Sequence, residues 1–118
     1  MREFRFLLTA SDYQRTVDFY TRVLGLPVVT SWEGDDPGTI VRATNEGEIE
    51  IFSGDGNPIS GAALAWQVDD VDAEIEAVRA RGATVVTEPS DQLWGHRNAT
   101  IVDPDGLNIT LFQVLRPE

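Results

Sequence analysis

The chain has 118 residues, 42% hydrophobic and 25% charged, a balance that builds one real core and is too short for two ordinary independent domains. Nine Lys and Arg against 20 Asp and Glu leave a net charge of −11, a field that repels nucleic acid and anionic membrane and favours cationic ligands. No cysteine is present, which excludes disulfides, thiolate metal sites and cysteine nucleophiles. No apolar run approaches the roughly 18 residues of a membrane span, and "MREFRF" has no signal-peptide pattern, so a cytoplasmic location is expected.

In chain order, "FLLTA" alternates as a strand and runs into Ser11-Asp12, where Asp12 is suited to cap a helix. Apolar residues at Tyr13, Val17, Tyr20 and Leu24 keep helical spacing, and Gly25 then stops the helix. "VVT" opens a second strand after Pro27, and Trp32 leads into the acidic loop "SWEGDDPG", where Asp35 and Asp36 read as turn residues, as Asp55 does further on. "GTIVRAT" and "GEIEIFS" are two further strands, and "GDGNPISG" at 54–61 reads as a linker.

The second half repeats the plan. "LAWQVDDVDAEIEAVRARGATVVT" gives a strand, a cap at Asp70, an apolar helical face at Val71, Ile75 and Val78, a stop at Gly82 and a new strand at Val85. Asp70 lies 58 residues after Asp12, whereas Gly82 follows Gly25 by 57 and Val85 follows Val28 by 57, so the second helix has lost one residue. "RNATIVD" and "LNITLFQ" supply the last two strands, joined by the turn "DPDG". The prediction is an α+β fold of two tandem βαβββ modules forming a curved mixed sheet, one domain over 1–118 with module one at 1–57 and module two at 61–118. Each module alone has too little core, so the two are expected to associate face to face, within a chain or across a dimer.

Alternation along the strands sorts their faces. Phe6, Leu8 and Ala10, like Leu64, Trp66 and Val68, are expected under the helix, with Ile49, Ile51, Ile109 and Leu111 in the core. Arg5, Leu7, Thr9, Glu48, Glu50, Phe52, Ala63, Ala65, Gln67, Asn108, Thr110 and Phe112 are then expected to face a concavity. A half-apolar face with a few polar groups suits a small-molecule site. The competing reading is that Arg5 and Glu50 form a partly buried ion pair with no ligand.

"SDYQRTVDFYTRVLGL", "VDDVDAEIEAVRARGATVV" and "WGHRNATIVDPDGLNITLFQ", with the paired βαβββ plan, resemble the vicinal oxygen chelate superfamily of glyoxalase I, bleomycin-resistance proteins and extradiol dioxygenases. The resemblance covers essentially the whole chain. It implies a divalent-metal site in the enzymatic branches, whose four ligand positions fall on Arg5, Glu50, Ala63 and Thr110. Only Glu50 is a ligand type: alanine has no donor atom, arginine is cationic, and a threonine hydroxyl is a poor ligand. No metal and no other cofactor is therefore expected, nor the glyoxalase or ring-cleaving chemistry that depends on a metal. The residue pattern resembles best the metal-free binding proteins, homodimers that sequester aromatic or cationic drugs in acidic, aromatic-lined grooves.

His96 is the only histidine and is read in the loop "DQLWGHRN", as a ligand hydrogen-bond donor, a general base, or an exposed loop residue. Trp94 beside it is read as a stacking platform or an exposed residue, and Trp32 as a lid, a partner contact or packing. No nucleotide loop or nucleophile elbow is present. The expected function is metal-free binding of an aromatic or cationic small molecule by a homodimer, with Arg5, Leu7, Trp32, Glu50, Phe52, Gln67, Trp94, His96, Thr110 and Phe112 as site residues and no catalytic residue. The alternatives are a lyase, isomerase or dioxygenase-like enzyme using Glu50 and His96 as base and acid, and a subunit whose cavity is vestigial.

Overall fold

The computed structural model describes residues 2–56 and 61–116, so part of the expected linker lies outside the described residues. The chain falls into two compact units, Met1–Pro58 and Ile59–Glu118. In the first, β1 (Phe4–Ala10) leads to α1 (Tyr13–Asp18), followed by a π-helical turn (Phe19–Val23) and the strands β2 (Val28–Trp32), β3 (Gly38–Thr44) and β4 (Gly47–Ser53). The second has β5 (Ala63–Gln67), α2 (Val71–Ala80), β6 (Thr84–Asp91), β7 (His96–Val102) and β8 (Asn108–Val114). Each makes a mixed four-stranded sheet of the same topology, β1-β4-β3-β2 and β5-β8-β7-β6, the first pair of each parallel and the rest antiparallel.

Both helices start where the carboxylates predict. Asp12 accepts the Arg15 backbone N–H at 3.2 Å, and Asp70 accepts that of Ala73 at 3.1 Å, each filling a donor left open by the first helical turn. The helices then differ. The expected single helix to Leu24 is α-helical only as far as Asp18; beyond it Leu24 N–H reaches back five residues to the Phe19 carbonyl. The extra residue of the first helix is thus housed in a widened turn, the usual way for a helix to absorb an insertion without moving its ends. Its buried stripe is Thr16, Phe19, Tyr20 and Val23, with Tyr13 and Val17 only half-buried, so the face shifts from the one the apolar spacing predicts. In α2 the predicted stripe of Val71, Ile75 and Val78 is fully buried.

The helix-side faces of the strands hold the cores. Leu8, Ala10, Val41, Ile49 and Ile51 are buried in module one, and Ala99, Ile101, Ile109 and Leu111 in module two. Burial of each large aliphatic side chain contributes about 1.5–3 kcal/mol. Trp66, expected in the core, is only half-buried, because β5 is an edge strand and its far side has no neighbour in its sheet. Between β7 and β8, the "DPDG" turn closes on Asp103, which is buried and accepts the backbone N–H groups of Asp105 and Leu107 at 2.9 Å each. That carboxylate sets where β8 begins, and so which of its residues face away from α2.

Candidate functional site

The face of each sheet turned away from its helix is the candidate surface. In module one, strand register lines up Arg5, Glu48 and Arg42 in one row, Leu7, Glu50, Ile40 and Thr30 in the next, and Thr9, Phe52, Gly38 and Trp32 in the third. The first two rows carry a charge network. Arg5 donates from Nη1 to Glu50 at 2.8 Å and from Nε to Glu3 at 2.6 Å, and its Nε lies 3.5 Å from Glu48. Arg42 approaches the other Glu48 oxygen at 3.6 Å. The Glu48 and Glu50 side chains keep only 13% and 14% of their exposure, so the two arginines offset the desolvation of two half-buried carboxylates. Reciprocally, the hydrogen bonds to Glu50 and Glu3 push the Arg5 pKa further up.

The third row is aromatic. The Trp32 ring meets Phe52 edge-on, centroids 6.0 Å apart, while its indole nitrogen donates to the Asp36 carbonyl at 3.0 Å. Its seat is Gly38: a Cβ there would lie 2.0 Å from the indole, so only glycine allows the ring to lie against the strand.

Module two places different chemistry on the same frame. Its rows are Ala63, Asn108 and Val102; Ala65, Thr110, Thr100 and Thr87; and Gln67, Phe112, Asn98 and Ser90. His96 lies nearly parallel to Phe112, ring centroids 5.0 Å apart. The sequence pattern predicts His96 in a loop; it is instead the first residue of β7, opposite Val114, and only Gln92 to Gly95 form the turn. The strand is lengthened by pairing with β8, which the local sequence does not reveal. Trp94 stands in that turn, 62% exposed beside the still more exposed Leu93.

The structure therefore brings Arg5, Leu7, Trp32, Glu50 and Phe52 onto one face of module one, and Gln67, His96, Thr110 and Phe112 onto one face of module two. Sequence reasoning left Arg42, Gly38 and Asn98 out of the site. Asn98 is notable because its Oδ1 is buried with no hydrogen-bond partner among the described residues. The 60-residue repeat that pairs Glu50 with Thr110 also pairs Gly38 with Asn98, and was the available signal for both.

The metal that the fold implies does not fit these residues. Of the four ligand positions, Arg5 is a cation bonded to Glu50, Ala63 has no donor atom, and Thr110 offers a neutral hydroxyl. Among the described residues no three His, Cys, Asp or Glu are grouped to hold a metal ion. The chemistry these faces can perform is stacking, ion pairing and hydrogen bonding.

The model of the Glyoxalase/Bleomycin resistance protein/Dioxygenase superfamily matches residues 4–111. The chain is 47% identical to the uncharacterized protein Mb0911c of Mycobacterium bovis, over 92% of this chain and 81% of that one. It is 29% identical to the lactoylglutathione lyase of Escherichia coli O157:H7, over 96% and 93% of the two chains. Among solved structures, TnmS3, an antibiotic binding protein from Streptomyces sp. CB03234, superposes with a TM-score of 0.77 at 28% identity, covering 97% of this chain and 96% of its own. Glyoxalase I of Zea mays shares the fold at a TM-score of 0.83 and 21% identity, and the chain, matched over 99% of its length, spans 45% of that protein.

Proposed function

The chain belongs to the Glyoxalase/Bleomycin resistance protein/Dioxygenase superfamily, and on that premise we propose that it binds and sequesters an aromatic or cationic small molecule without a metal. One observation carries the reading: the carboxylate that a metal site would need, Glu50, is held by Arg5 at 2.8 Å, and Ala63 and Thr110 complete no ligand set. The ring pairs Trp32–Phe52 and Phe112–His96 supply stacking surfaces, and the glutamates beside Arg5 supply negative charge for a cationic group. The likeness to an antibiotic binding protein supports the same reading. The proposed protein is a cytoplasmic homodimer whose ligand-contacting residues are Arg5, Leu7, Trp32, Glu50 and Phe52 in module one and Gln67, Trp94, His96, Thr110 and Phe112 in module two.

Calorimetric titration with 2-naphthol and with the planar cation acridine orange tests this. Saturable binding, weakened about tenfold by Phe52→Ala or Phe112→Ala and with the probe recovered unchanged, is the expected result. Binding indifferent to both variants overturns it.

The identity with a lactoylglutathione lyase favours a second reading, an enzyme of lyase, isomerase or dioxygenase type with Glu50 and His96 as base and acid. Formation of lactoylglutathione that vanishes in Glu50→Gln, with ligand affinity unchanged, would establish that reading over sequestration.

A further inference from the structure

On the helix side of module one's sheet lies a cleft of about 400 Å³, walled by α1 and by the β2–β3 hairpin. Tyr13, Gln14 and Val17 form one wall; Ser31 to Gly34, Pro37 and Thr39 form the other. Thr39 stands opposite the buried Ile51, so it points to the helix side, away from the charged rows of Arg5 and Glu50. Two bonds shape the cleft before any ligand arrives: Tyr13 Oη lies 2.6 Å from Thr39 Oγ1, and the indole nitrogen of Trp32 donates to the Asp36 carbonyl.

We propose that this cleft is a second binding site, selective for a small organic cation with N–H donors, such as an aliphatic amine or an amino sugar. Its volume falls in the range of small-molecule sites. Its side-chain chemistry selects the sign of the guest. The residues that line it carry three hydroxyls, a carboxamide and the Glu33 carboxylate, and among the described residues no Arg or Lys lines it. A bound anion would meet Glu33 with no cation to offset it, whereas an ammonium group finds one carboxylate and several neutral acceptors around it. The Tyr13–Thr39 bond consumes one hydroxyl proton and leaves oxygen lone pairs free to accept. The net charge of −11 raises the local concentration of cations and speeds their arrival. Trp32 joins the two sides of the sheet, since it lines the cleft and its ring also contacts Phe52.

The test is titration of the full chain with spermidine, with succinate as the anionic control, followed by calorimetry and by backbone amide NMR. Expected are saturable spermidine binding, shifts confined to Tyr13, Gln14, Val17, Ser31–Gly34 and Thr39, and none with succinate. Glu33→Gln weakens binding about tenfold or more, the scale of a charge-assisted contact. Glu46→Gln, an equal change of charge on an exposed loop residue, leaves it unaltered. Gln14→Trp, at an exposed helix position, blocks the cleft without changing charge and abolishes binding at an unchanged Tm. Equal weakening by Glu33→Gln and Glu46→Gln means diffuse attraction by an acidic surface and overturns the proposal. So do saturable binding that survives Gln14→Trp, shifts centred on Arg5 and Glu50, and the absence of saturable binding at millimolar spermidine.

Discussion

Sixty residues separate Ile49 from Ile109, Glu50 from Thr110, Phe52 from Phe112 and Gly38 from Asn98, and each pair stands at the same place in its own sheet. On the helix side the matching core pairs Val41 and Ile101, Ile49 and Ile109, and Ile51 and Leu111 are nearly interchangeable: aliphatic and buried. On the open side they have diverged. Module one presents two arginines and two glutamates with a Trp–Phe edge contact; module two presents hydroxyls and carboxamides with a His–Phe stack. The difference teaches where a duplicated frame is constrained. A core position must be apolar and of fixed volume, because vacancy and overpacking both cost stability. An open-face position need only keep the strand, so its chemistry is free to follow a ligand.

The largest expected effect tests the sameness. Ile49→Ala and Ile109→Ala should each lower stability by about 2–5 kcal/mol in urea unfolding, the cost of a large-to-small change at a closed site. Two sheets with equivalent cores should lose similar amounts; a loss several-fold smaller in one module would mean that its core relaxes and the equivalence is false. A smaller effect tests the difference. Gly38→Ala must displace the Trp32 ring and should cost about 1–3 kcal/mol, with a changed near-ultraviolet circular dichroism signal. Asn98→Ala at the matching place removes a buried oxygen that has no partner among the described residues and should be near neutral. Equal costs for the two would remove the case for separate roles.

The smallest effect is electrostatic. The Arg97 hydrogen bond lowers the pKa of Asp72 below its ordinary value of 3.8, and Arg22 does the same for Asp18. The folded chain then binds these protons less readily than the unfolded chain. The stability each pair contributes is therefore complete above the ordinary carboxylate range and lost as pH falls through the lowered value. Arg97 grips Asp72 of α2 with two bonds, at 2.9 and 3.0 Å, and Asp91 of β6 with a third, so this pair ties helix to sheet. The Asp18–Arg22 pair stays within one helical segment. Melting curves from about pH 7 down to about pH 2.5 should show Asp72→Asn flattening the acid limb more than Asp18→Asn does. The reverse order would mean that the cross-element pair is no better held than the local one.

Legibility in the sequence followed the range of each interaction. Asp12 and Asp70 could be read as caps because a cap acts on a backbone N–H three residues away. The faces of β1, β4 and β8 could be read because a strand alternates by itself. The π-helical turn was visible only as one unmatched residue between the two helices. His96 reads as a loop residue in the sequence because its strand exists through pairing with β8. The seat of Trp32 on Gly38 and the stack of His96 on Phe112 depend on register between strands, which no single stretch encodes.

The sequence by itself determined the two βαβββ modules, the caps, the core stripe of α2 and the poverty of metal donors at Arg5, Ala63 and Thr110, since these follow from local periodicity and from side-chain chemistry. Only the tertiary structure decided that Arg5 is bonded to Glu50, that Phe52 and Phe112 each have an aromatic neighbour, and that a polar cleft opens between α1 and the β2–β3 hairpin. Those are distances between residues far apart in the chain, and they are fixed by how strands register and helices pack.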